Sequence, residues 1–463
     1  MFKYTLNNFR SYKNQQFDFK RINILIGENS GGKSSLIKSL LSLKQTIENP
    51  DVSNLILNGK YADLGNFKET VRNQDESQPI SFEFSFKDDL PTFAEIFILD
   101  DLDEKKTETK KQIEITIKKS LEFETTTSFT IINSLEKHST IKTSFHNEYL
   151  GKLEIIFPEK KKEAEENHYD ILQKTRTCNL RYKNYTRDKT IIFENIEFTK
   201  KGFMSIIESP SLRKECEKQD DDSIFYEIAL FLINQNLIEY YIKDIRYLNP
   251  LSSNPKRIYI NKDSQSEYNK SDLEKFTNLI TTNQISDATI KKFDEILKEY
   301  GIADGIEVID PKNLPVSELR VKIKNLVSNV SDIGYGASLQ IPMLFEALMA
   351  EQKDGAIFII EQPEIHLHPK LQAKFIETLL KLGEKNNYII ETHSEHIVRM
   401  LQIISKNKFY NVSNQEIKIL YFMRGEYKFE VTEHNLDSNG IMTEKFPSGF
   451  FDNSYNLTKK LMF

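Results

Sequence analysis

The chain has 463 residues, enough for two or three domains of ordinary size. Its 63 basic and 69 acidic residues give a net charge of −6, which argues against a surface coated with basic charge for non-specific DNA binding. The only cysteines, Cys178 and Cys216, exclude a disulfide scaffold and a four-cysteine zinc site. No apolar run approaches the roughly 20 residues needed to cross a bilayer, and the start lacks the apolar core of a signal peptide. We therefore expect a soluble, cytoplasmic protein without a membrane partner.

The amino-terminal segment predicts two strands, a loop and a helix. Phe17 and Phe19 alternate with polar neighbours, as in a half-buried strand. Residues 22–26 are almost continuously apolar, which favours a central parallel strand buried on both faces. After a glycine- and serine-rich loop at 27–34, apolar residues at helical spacing predict a helix that ends before Pro50.

Between residues 51 and 205 the apolar residues alternate with polar ones in short runs. This pattern predicts antiparallel strands and hairpins. The runs are Phe82/Phe84/Phe86, Ile113/Ile115/Ile117, Leu153/Ile155/Phe157 and Ile192/Glu194/Ile196/Phe198. The lysine-rich clusters between them are typical of solvated loops.

The second half of the chain predicts helices followed by an α/β pattern. Residues 223–245 are strongly apolar at helical spacing, and prolines within 247–260 indicate an irregular crossing. The further predicted elements are helices near 271–281 and 286–300, then, after about 320, a helix, a strand at 356–360, a helix at 369–385, a strand at 387–391, a helix at 394–405 and strands near 417–423 and 427–432.

No internal repeat and no glycine/serine linker separates these regions. We therefore expect one split α/β domain that carries insertions. The predicted parts are an ATPase core at 1–80 and 320–463, an antiparallel β lobe at 81–205 and a helical insertion at 206–319.

Residues 27–34, GENSGGKS, match the phosphate-loop pattern G-x-x-x-x-G-K-[ST] without a mismatch. The glycines let successive backbone N–H groups turn inward around a phosphate, and the following helix adds the positive end of its dipole. Lys33 is expected to reach the β- and γ-phosphates, and Ser34 to offer its hydroxyl to Mg²⁺. The sequence therefore predicts ATP and Mg²⁺ as cofactors.

Two later segments place candidate catalytic residues at the ends of short apolar strands. Residues 357–360 lead into Glu361, which is typical of the acid that faces Mg²⁺ in a phosphate-loop ATPase. A second strand ends near His393, where an imidazole can hydrogen-bond the γ-phosphate or the attacking water. His366 and His368 lack a third convergent ligand in the sequence, so a contact loop is favoured over a metal site.

Five segments carry a resemblance to a known family: NFRSY, GENSGGKSS, SDIGYGASLQIP, EQPEIHLHP and ETHS. In this order they resemble ABC-type ATPases of the chromosome-maintenance, recombination-repair and OLD-like classes. The chain is most similar to the stand-alone ATPases of bacterial anti-phage systems of the Septu-like, retron-linked and PARIS-like kinds. Segments at 247–259 and 446–452 add to the resemblance, which covers roughly 1–80 and 240–463. It implies an α/β fold, namely an ABC-type P-loop NTPase head with a mixed or antiparallel β lobe and an inserted helical region.

The resemblance also implies roles for particular residues around the nucleotide. Arg10, with Ser11 and Tyr12, would lie near the adenine. The phosphates would be held by Asn29, Ser30, Gly31, Gly32, Lys33, Ser34 and Ser35. The ligands of Mg²⁺ would be Ser34 and Glu361, and His393 would be the switch histidine. Gln78 is a candidate for the glutamine that usually follows the first helix.

Gly334, Gly336 and Ser338 would form the signature loop of such ATPases. In these families that loop contacts the γ-phosphate bound by the opposite subunit, which implies a homodimer or a higher homo-oligomer. The segment lacks the usual Leu-Ser-Gly-Gly-Gln order, so Ser331 and Ser338 are both candidates for the signature serine.

The clearest departure from the wider superfamily is Gln362, where a glutamate usually polarises the attacking water. Glutamine cannot take a proton at neutral pH, and general-base catalysis is typically worth about 10²–10⁴-fold. We therefore expect slow hydrolysis and a long-lived ATP-bound dimer. Glu364, two residues further on, is the alternative base.

The resemblance leaves two functional hypotheses. OLD nucleases carry a metal-dependent nuclease domain after the ATPase, and the residues after His393 contain no D-x-D cluster that would indicate one. The first hypothesis is a sensor and scaffold that controls a separately encoded effector, such as a nuclease, in anti-phage defence. The alternative is a DNA-repair or recombination ATPase that binds DNA ends through lysine-rich loops at 104–119, 159–162 and 200–201. A transporter subunit is disfavoured because the signature order differs.

Overall fold

The computed structural model describes residues 2–49, 55–86, 125–133, 139–156, 176–185, 187–198, 209–219, 223–249, 255–260, 272–282, 284–311, 314, 316–425, 429–446 and 459. Its strands are β1 (Phe2–Phe9), β2 (Tyr12–Asp18), β3 (Ile22–Gly27), β4 (Ile80–Phe86), β5 (Thr125–Asn133), β6 (Ser139–Asn147), β7 (Gly151–Ile156), β8 (Arg176–Asn184), β9 (Lys189–Phe198), β10 (Ile245–Leu248), β11 (Tyr259–Ile260), β12 (Gly305–Ile309), β13 (Val316–Ile323), β14 (Leu326–Asn329), β15 (Ile357–Glu361), β16 (Asn387–Glu391), β17 (Ile417–Arg424) and β18 (Phe429–His434). The helices are α1 (Lys33–Ile47), α2 (Phe67–Thr70), α3 (Pro210–Glu217), α4 (Ser223–Lys243), α5 (Asp272–Thr281), α6 (Asp287–Tyr300), α7 (Tyr335–Glu351), α8 (Pro369–Lys381) and α9 (Glu395–Asn407).

One compact unit comprises Met1–Phe19 and Lys38–Lys243. Its described strands form a sheet in the order β2-β1-β4-β5-β6-β7-β8-β9, and every neighbouring pair is antiparallel. Alternate residues of β4, such as Phe82 and Phe84, are buried, as the period of two requires for a sheet with one face on a core. An antiparallel lobe is present in the described residues, as the predicted fold class requires, but its sheet also includes β1 and β2, which the predicted boundaries assign to the ATPase core. The run at 113–117 and the three lysine-rich loops lie outside the described residues.

Helix α4 packs on the strands of this first unit. Its apolar residues share a buried cluster with side chains of β6 to β9, and the ring of Phe231 lies 6.0 Å from that of Phe145 and 6.2 Å from that of Tyr182. Cys178 and Cys216 lie in the same cluster as free thiols, and burial raises the pKa of both to about 12. The two cysteines are therefore core residues.

The second unit comprises Lys20–Ile37 and Asp244–Phe463. Its main sheet has the order β10-β15-β16-β3-β17-β18, in which every pair is parallel except β17 with β18. Strand β3 lies between β16 and β17 and is buried along its whole length, which confirms the central parallel strand. Together the two units confirm the predicted α/β fold class with its antiparallel β lobe and helical region.

A smaller sheet of the second unit was not expected from the sequence. It has the order β11-β13-β12, with β14 paired to β13. Helix α8 ends at Lys381, four residues before the predicted end, and Gly383 follows with a φ of 154°. Among the described residues, no helix is both long and apolar enough to cross a membrane.

Candidate functional site

The phosphate loop lies at the carboxyl end of β3, in the second unit. Gly27 has a φ of 130°, and a Cβ there would lie 2.1 Å from the carbonyl oxygen of Phe422 on β17. Only glycine fits this position. Ser30 and Gly32 also have positive φ values, of 61° and 111°. The loop is thus wound tightly between strand and helix, as the sequence pattern predicts.

Lys33 begins α1 and points back into the loop. Its ammonium donates to the carbonyl oxygens of Gly27 at 3.1 Å and of Glu28 at 2.8 Å. The side chain is 4% exposed, and burial lowers the pKa of its ammonium. In contrast, Asn29, Ser30 and Ser34 are exposed. The loop therefore exposes polar side chains to solvent, while the ammonium of Lys33 is hydrogen-bonded to the loop's own carbonyl oxygens.

Two acids end neighbouring strands beside this loop. Glu361 ends β15 and Glu391 ends β16, and the two residues are paired in register. The hydroxyl of Ser34 donates to Oε2 of Glu391 at 3.4 Å. Burial, reinforced by the negative charge of Glu361 and opposed by the positive charge of Lys33, raises the pKa of Glu391 to about 7. The structure thus brings Ser34 and Lys33 together with the end of β16, adjacent to Glu361.

Glu361 is oriented from the other side by Tyr247, just before the end of β10. The Tyr247 hydroxyl donates to Oε1 of Glu361 at 3.2 Å and accepts a hydrogen bond from Nδ2 of Asn249 at 2.9 Å. Burial, followed by the charge of Glu361, raises the pKa of this phenol well above its ordinary value. The phenol therefore stays a donor to Glu361 at every physiological pH.

The loop after β15 carries the remaining predicted acid–base residues. Gln362 has a φ of 45°, and its backbone N–H donates to the carbonyl oxygen of Glu391 at 2.7 Å. Glu364 accepts the backbone N–H of His393 through Oε1 at 2.6 Å, and its Oε2 is buried with no hydrogen-bond partner in the described part of the chain. Burial raises the pKa of Glu364, and desolvation with the charge of Lys33 lowers that of His393.

The signature-like residues lie at the start of α7. Gly334 is exposed, whereas a Cβ on Gly336 would lie 2.4 Å from the carbonyl oxygen of His366. Ser338 is fully buried, and its hydroxyl donates to the carbonyl oxygen of Tyr335 at 2.7 Å. The start of this helix therefore packs on the loop that follows Glu361.

The alternative signature serine and the two loop histidines have local partners. The hydroxyl of Ser331 donates to Oδ1 of Asn329 at 2.7 Å. The ring of His366 lies edge-on to that of Tyr335 at 5.2 Å, and Nδ1 of His368 accepts the N–H of Lys370 at the start of α8. Within the described ranges, no three or more His, Cys, Asp and Glu side chains are grouped to hold a metal ion by themselves.

The residues predicted near the adenine belong to the first unit. Arg10 has a φ of 47° and donates through Nη2 to the carbonyl oxygen of Leu64 at 3.4 Å, and burial lowers the pKa of its guanidinium. Ser11 has a buried hydroxyl without a partner among the described residues, and Tyr12 is buried. Gln78 is exposed.

Two residues of this site were missed from the sequence alone. Glu391 follows an apolar strand in the same way as Glu361, so the pattern that identified one acid also contained the other. Tyr247 was noted only as part of a motif, because its partner lies 114 residues further along the chain.

A glycine-rich loop between a buried parallel strand and a helix, with a lysine at the helix start and an acid at the end of a nearby strand, defines a P-loop nucleoside triphosphatase. The chain belongs to the AAA ATPase domain family (AAA_15), whose model matches residues 1–398. It is therefore an ATPase of that family. Among curated proteins, none matches this chain.

Solved structures of SMC heads are similar to the chain at low identity. The SmcHead bound to the C-winged helix domain of ScpA has 11% identity and a TM-score of 0.40, over 94% of this chain and 98% of that one. The SMC head domain from Thermotoga maritima has 8% identity and a TM-score of 0.34, over 93% and 97%. The Smc head domain with an extended coiled coil, bound to the C-terminal domain of ScpA derived from Pyrococcus furiosus, has 11% identity and a TM-score of 0.41, over 100% of both chains.

Proposed function

We propose that this chain binds ATP with Mg²⁺, hydrolyses it slowly, and as an ATP-bound homodimer or higher homo-oligomer controls a separately encoded effector, a nuclease, in bacterial anti-phage defence. The slow hydrolysis is inferred from the identity of the residue next to Glu361. Gln362 places an amide there, and an amide cannot accept a proton from water at neutral pH. The ATP-bound state would therefore persist long enough to act as a signal.

Glu364 is the other acid on this loop, and its contacts support a positioning role. Its Oε1 accepts the N–H of His393 at 2.6 Å. Through this hydrogen bond the Glu364 carboxylate would hold His393, the proposed switch histidine, in place. To act as a general base, Glu364 would first have to break the hydrogen bond. Glu364 remains the second candidate base, and the experiment below includes it.

The residues at the phosphate loop fit a magnesium nucleotide. The hydroxyl of Ser34 and the carboxylate of Glu361 are oxygen donors of the kind that Mg²⁺ prefers. When bound, Mg²⁺ would neutralise phosphate charge. Lys33 would exchange the carbonyl oxygens of Gly27 and Glu28 for phosphate oxygens, a stronger, charge-assisted contact.

Effector control is proposed from the resemblance together with membership in an ATPase family. We assign the parts of a nucleotide switch to the phosphate loop, the strand-end acid Glu361, His393 and the start of α7. A slowly hydrolysing switch suits a scaffold that holds a second protein inactive or active for as long as ATP stays bound.

The test is phosphate release and assembly mass, measured with ATP and Mg²⁺ for the native chain and Gln362→Glu. We expect the native chain to turn over slowly, and the variant to release phosphate at least about tenfold faster because it regains a general base, an effect typically worth about 10²–10⁴-fold. The assembly should dissociate sooner in the variant. Lys33→Ala, which removes the phosphate-binding cation, is the inactive control.

Brisk turnover by the native chain with no gain in Gln362→Glu would contradict the slow switch. In that case a loss of turnover in Glu364→Gln would assign the base to Glu364. Stimulation of turnover by duplex DNA at low salt, with affinity falling steeply as salt rises, would favour the repair ATPase over effector control.

A further inference from the structure

The end of β16 carries an acid for which the proposed function has no role. Glu391 is 4% exposed, although it ends a strand at the same sheet edge as Glu361. Neighbouring strands lie about 4.8 Å apart, and residues paired in register point to the same face. The carboxylates of Glu361 and Glu391 are therefore close neighbours on one side of the sheet.

The side chain of Glu391 is directed at the phosphate loop. Its hydrogen bond in the described residues is the one that Oε2 accepts from the hydroxyl of Ser34, at 3.4 Å. The backbone of Glu391 pairs with β15 and β3, so the strand pairing leaves its carboxylate available for other contacts. Burying a second carboxylate beside Glu361 is costly unless a positive charge compensates it.

Lys33 is the nearby cation, but its ammonium donates to the carbonyl oxygens of Gly27 and Glu28. Once ATP is bound, Lys33 faces phosphate and is less able to compensate the pair of acids. A divalent cation satisfies both carboxylates at once, and Mg²⁺ is typically held by one or two carboxylates together with substrate phosphates.

We propose that Glu391 is a second metal-side carboxylate, which acts with Glu361 and Ser34 to hold the Mg²⁺ of the bound nucleotide. This inference rests on the proposed binding of MgATP and deepens it. The site is then more acidic than one with a single strand-end acid, so metal-free nucleotide is repelled and the magnesium complex is selected.

The experiment measures binding of a fluorescent ATP analogue to the full chain at fixed pH, first in EDTA and then with increasing Mg²⁺. We expect Glu391→Gln to raise the Mg²⁺ concentration at half-maximal binding about tenfold or more, as loss of a group around a metal typically does. In EDTA the same variant should bind the analogue as well as the native chain or more tightly, because one negative charge has gone.

The matched control is Glu395→Gln. This acid lies four residues further on, at the start of α9, and pairs with the exposed Arg399. Its Mg²⁺ midpoint should stay within about twofold of the native value, since surface pairs contribute little. Glu391→Asp keeps the charge on a shorter side chain and should give a Mg²⁺ midpoint between those of the native chain and Glu391→Gln. If Glu391→Gln does not fold, Glu391→Asp is the variant that tests the proposal.

The two proposals fail in different ways. A native chain that binds no analogue under any condition refutes nucleotide binding itself. A native chain with a clear Mg²⁺ midpoint, matched within twofold by both Glu391→Gln and Glu391→Asp, overturns the role of Glu391 and leaves nucleotide binding intact.

Discussion

At the scale of single residues, the proposed chemistry of this chain depends on the hydrogen-bond partner of each carboxylate. Glu361 is held by Tyr247, Glu391 by Ser34, and Glu364 by the amide of His393. The sequence predicted Glu361 and Glu364 because they lie in one short motif. It could not predict the Tyr247 contact, since only the pairing of β10 with β15 brings those residues together.

Tyr247→Phe tests the contact to Glu361. The variant removes one hydrogen bond to a charged group, typically worth about 1.5–3 kcal/mol, while the ring remains. Part of that energy is recovered by water, so we expect a KM for MgATP about five- to tenfold higher with a smaller change in kcat. Steady-state hydrolysis at several Mg²⁺ concentrations measures both constants.

Tyr240→Phe is the matched control, since Tyr240 is 56% exposed. It should leave both constants unchanged. Equal changes in KM and kcat for Tyr247→Phe, or none, would show that the hydroxyl does not position Glu361.

At the scale of elements, strands with clear patterns were predicted well, and the smaller sheet was not. Strand β16 matches its predicted range, because an apolar run this short, between polar residues, favours a buried strand over a helix. Strand β13 shows alternation at Leu319, Val321 and Ile323, but the predicted α/β pattern starts with a helix after about residue 320 and does not include this strand. Helix α7 is buried almost all round and contains Pro342. Periodicity therefore cannot define its bounds, and a proline inside a helix runs against local preference.

Gly336→Ala tests how closely α7 approaches the loop after β15. Alanine gains at most about 1 kcal/mol of helix propensity, but its Cβ would lie 2.4 Å from a backbone oxygen. Overpacking typically costs about 1–3 kcal/mol, so we expect net destabilisation. The melting temperature should fall by about 2–4 °C for each kcal/mol lost.

Gly334→Ala serves as the stability control, because a Cβ there meets no atom within 4 Å. Its melting temperature should equal or exceed that of the native chain. A Gly336→Ala protein as stable as Gly334→Ala would mean that the helix and the loop are not in tight contact.

At the scale of the whole molecule, the described residues form two compact units with different sheets, and the phosphate loop belongs to the mainly parallel one. The split order along the chain could be predicted, because the phosphate loop and the later strand-end acids are recognisable by themselves. Which segments of the chain form each unit could not be predicted, since this depends on contacts between residues far apart in the sequence.

Effector control is tested in cells, with this chain expressed alone and together with the proteins encoded beside it. We expect phage plating to fall at least about tenfold only when a partner is present, and the partner to co-purify with the native chain in ATP. Lys33→Ala should abolish both effects. Protection by the chain alone, or protection unaffected by Lys33→Ala, would contradict the scaffold.

The loop from Gln362 to Leu367 is anchored on three sides. Its Glu364 holds the amide of His393, its Pro363 carbonyl oxygen accepts from Gln340 of α7, and its His366 carbonyl oxygen lies against Gly336. Because both ends and the middle of this six-residue loop are held, its residues have little freedom to move independently of one another. A tilt of the start of α7, where Tyr335 is exposed, would therefore shift this loop and, through Glu364, the backbone amide of His393.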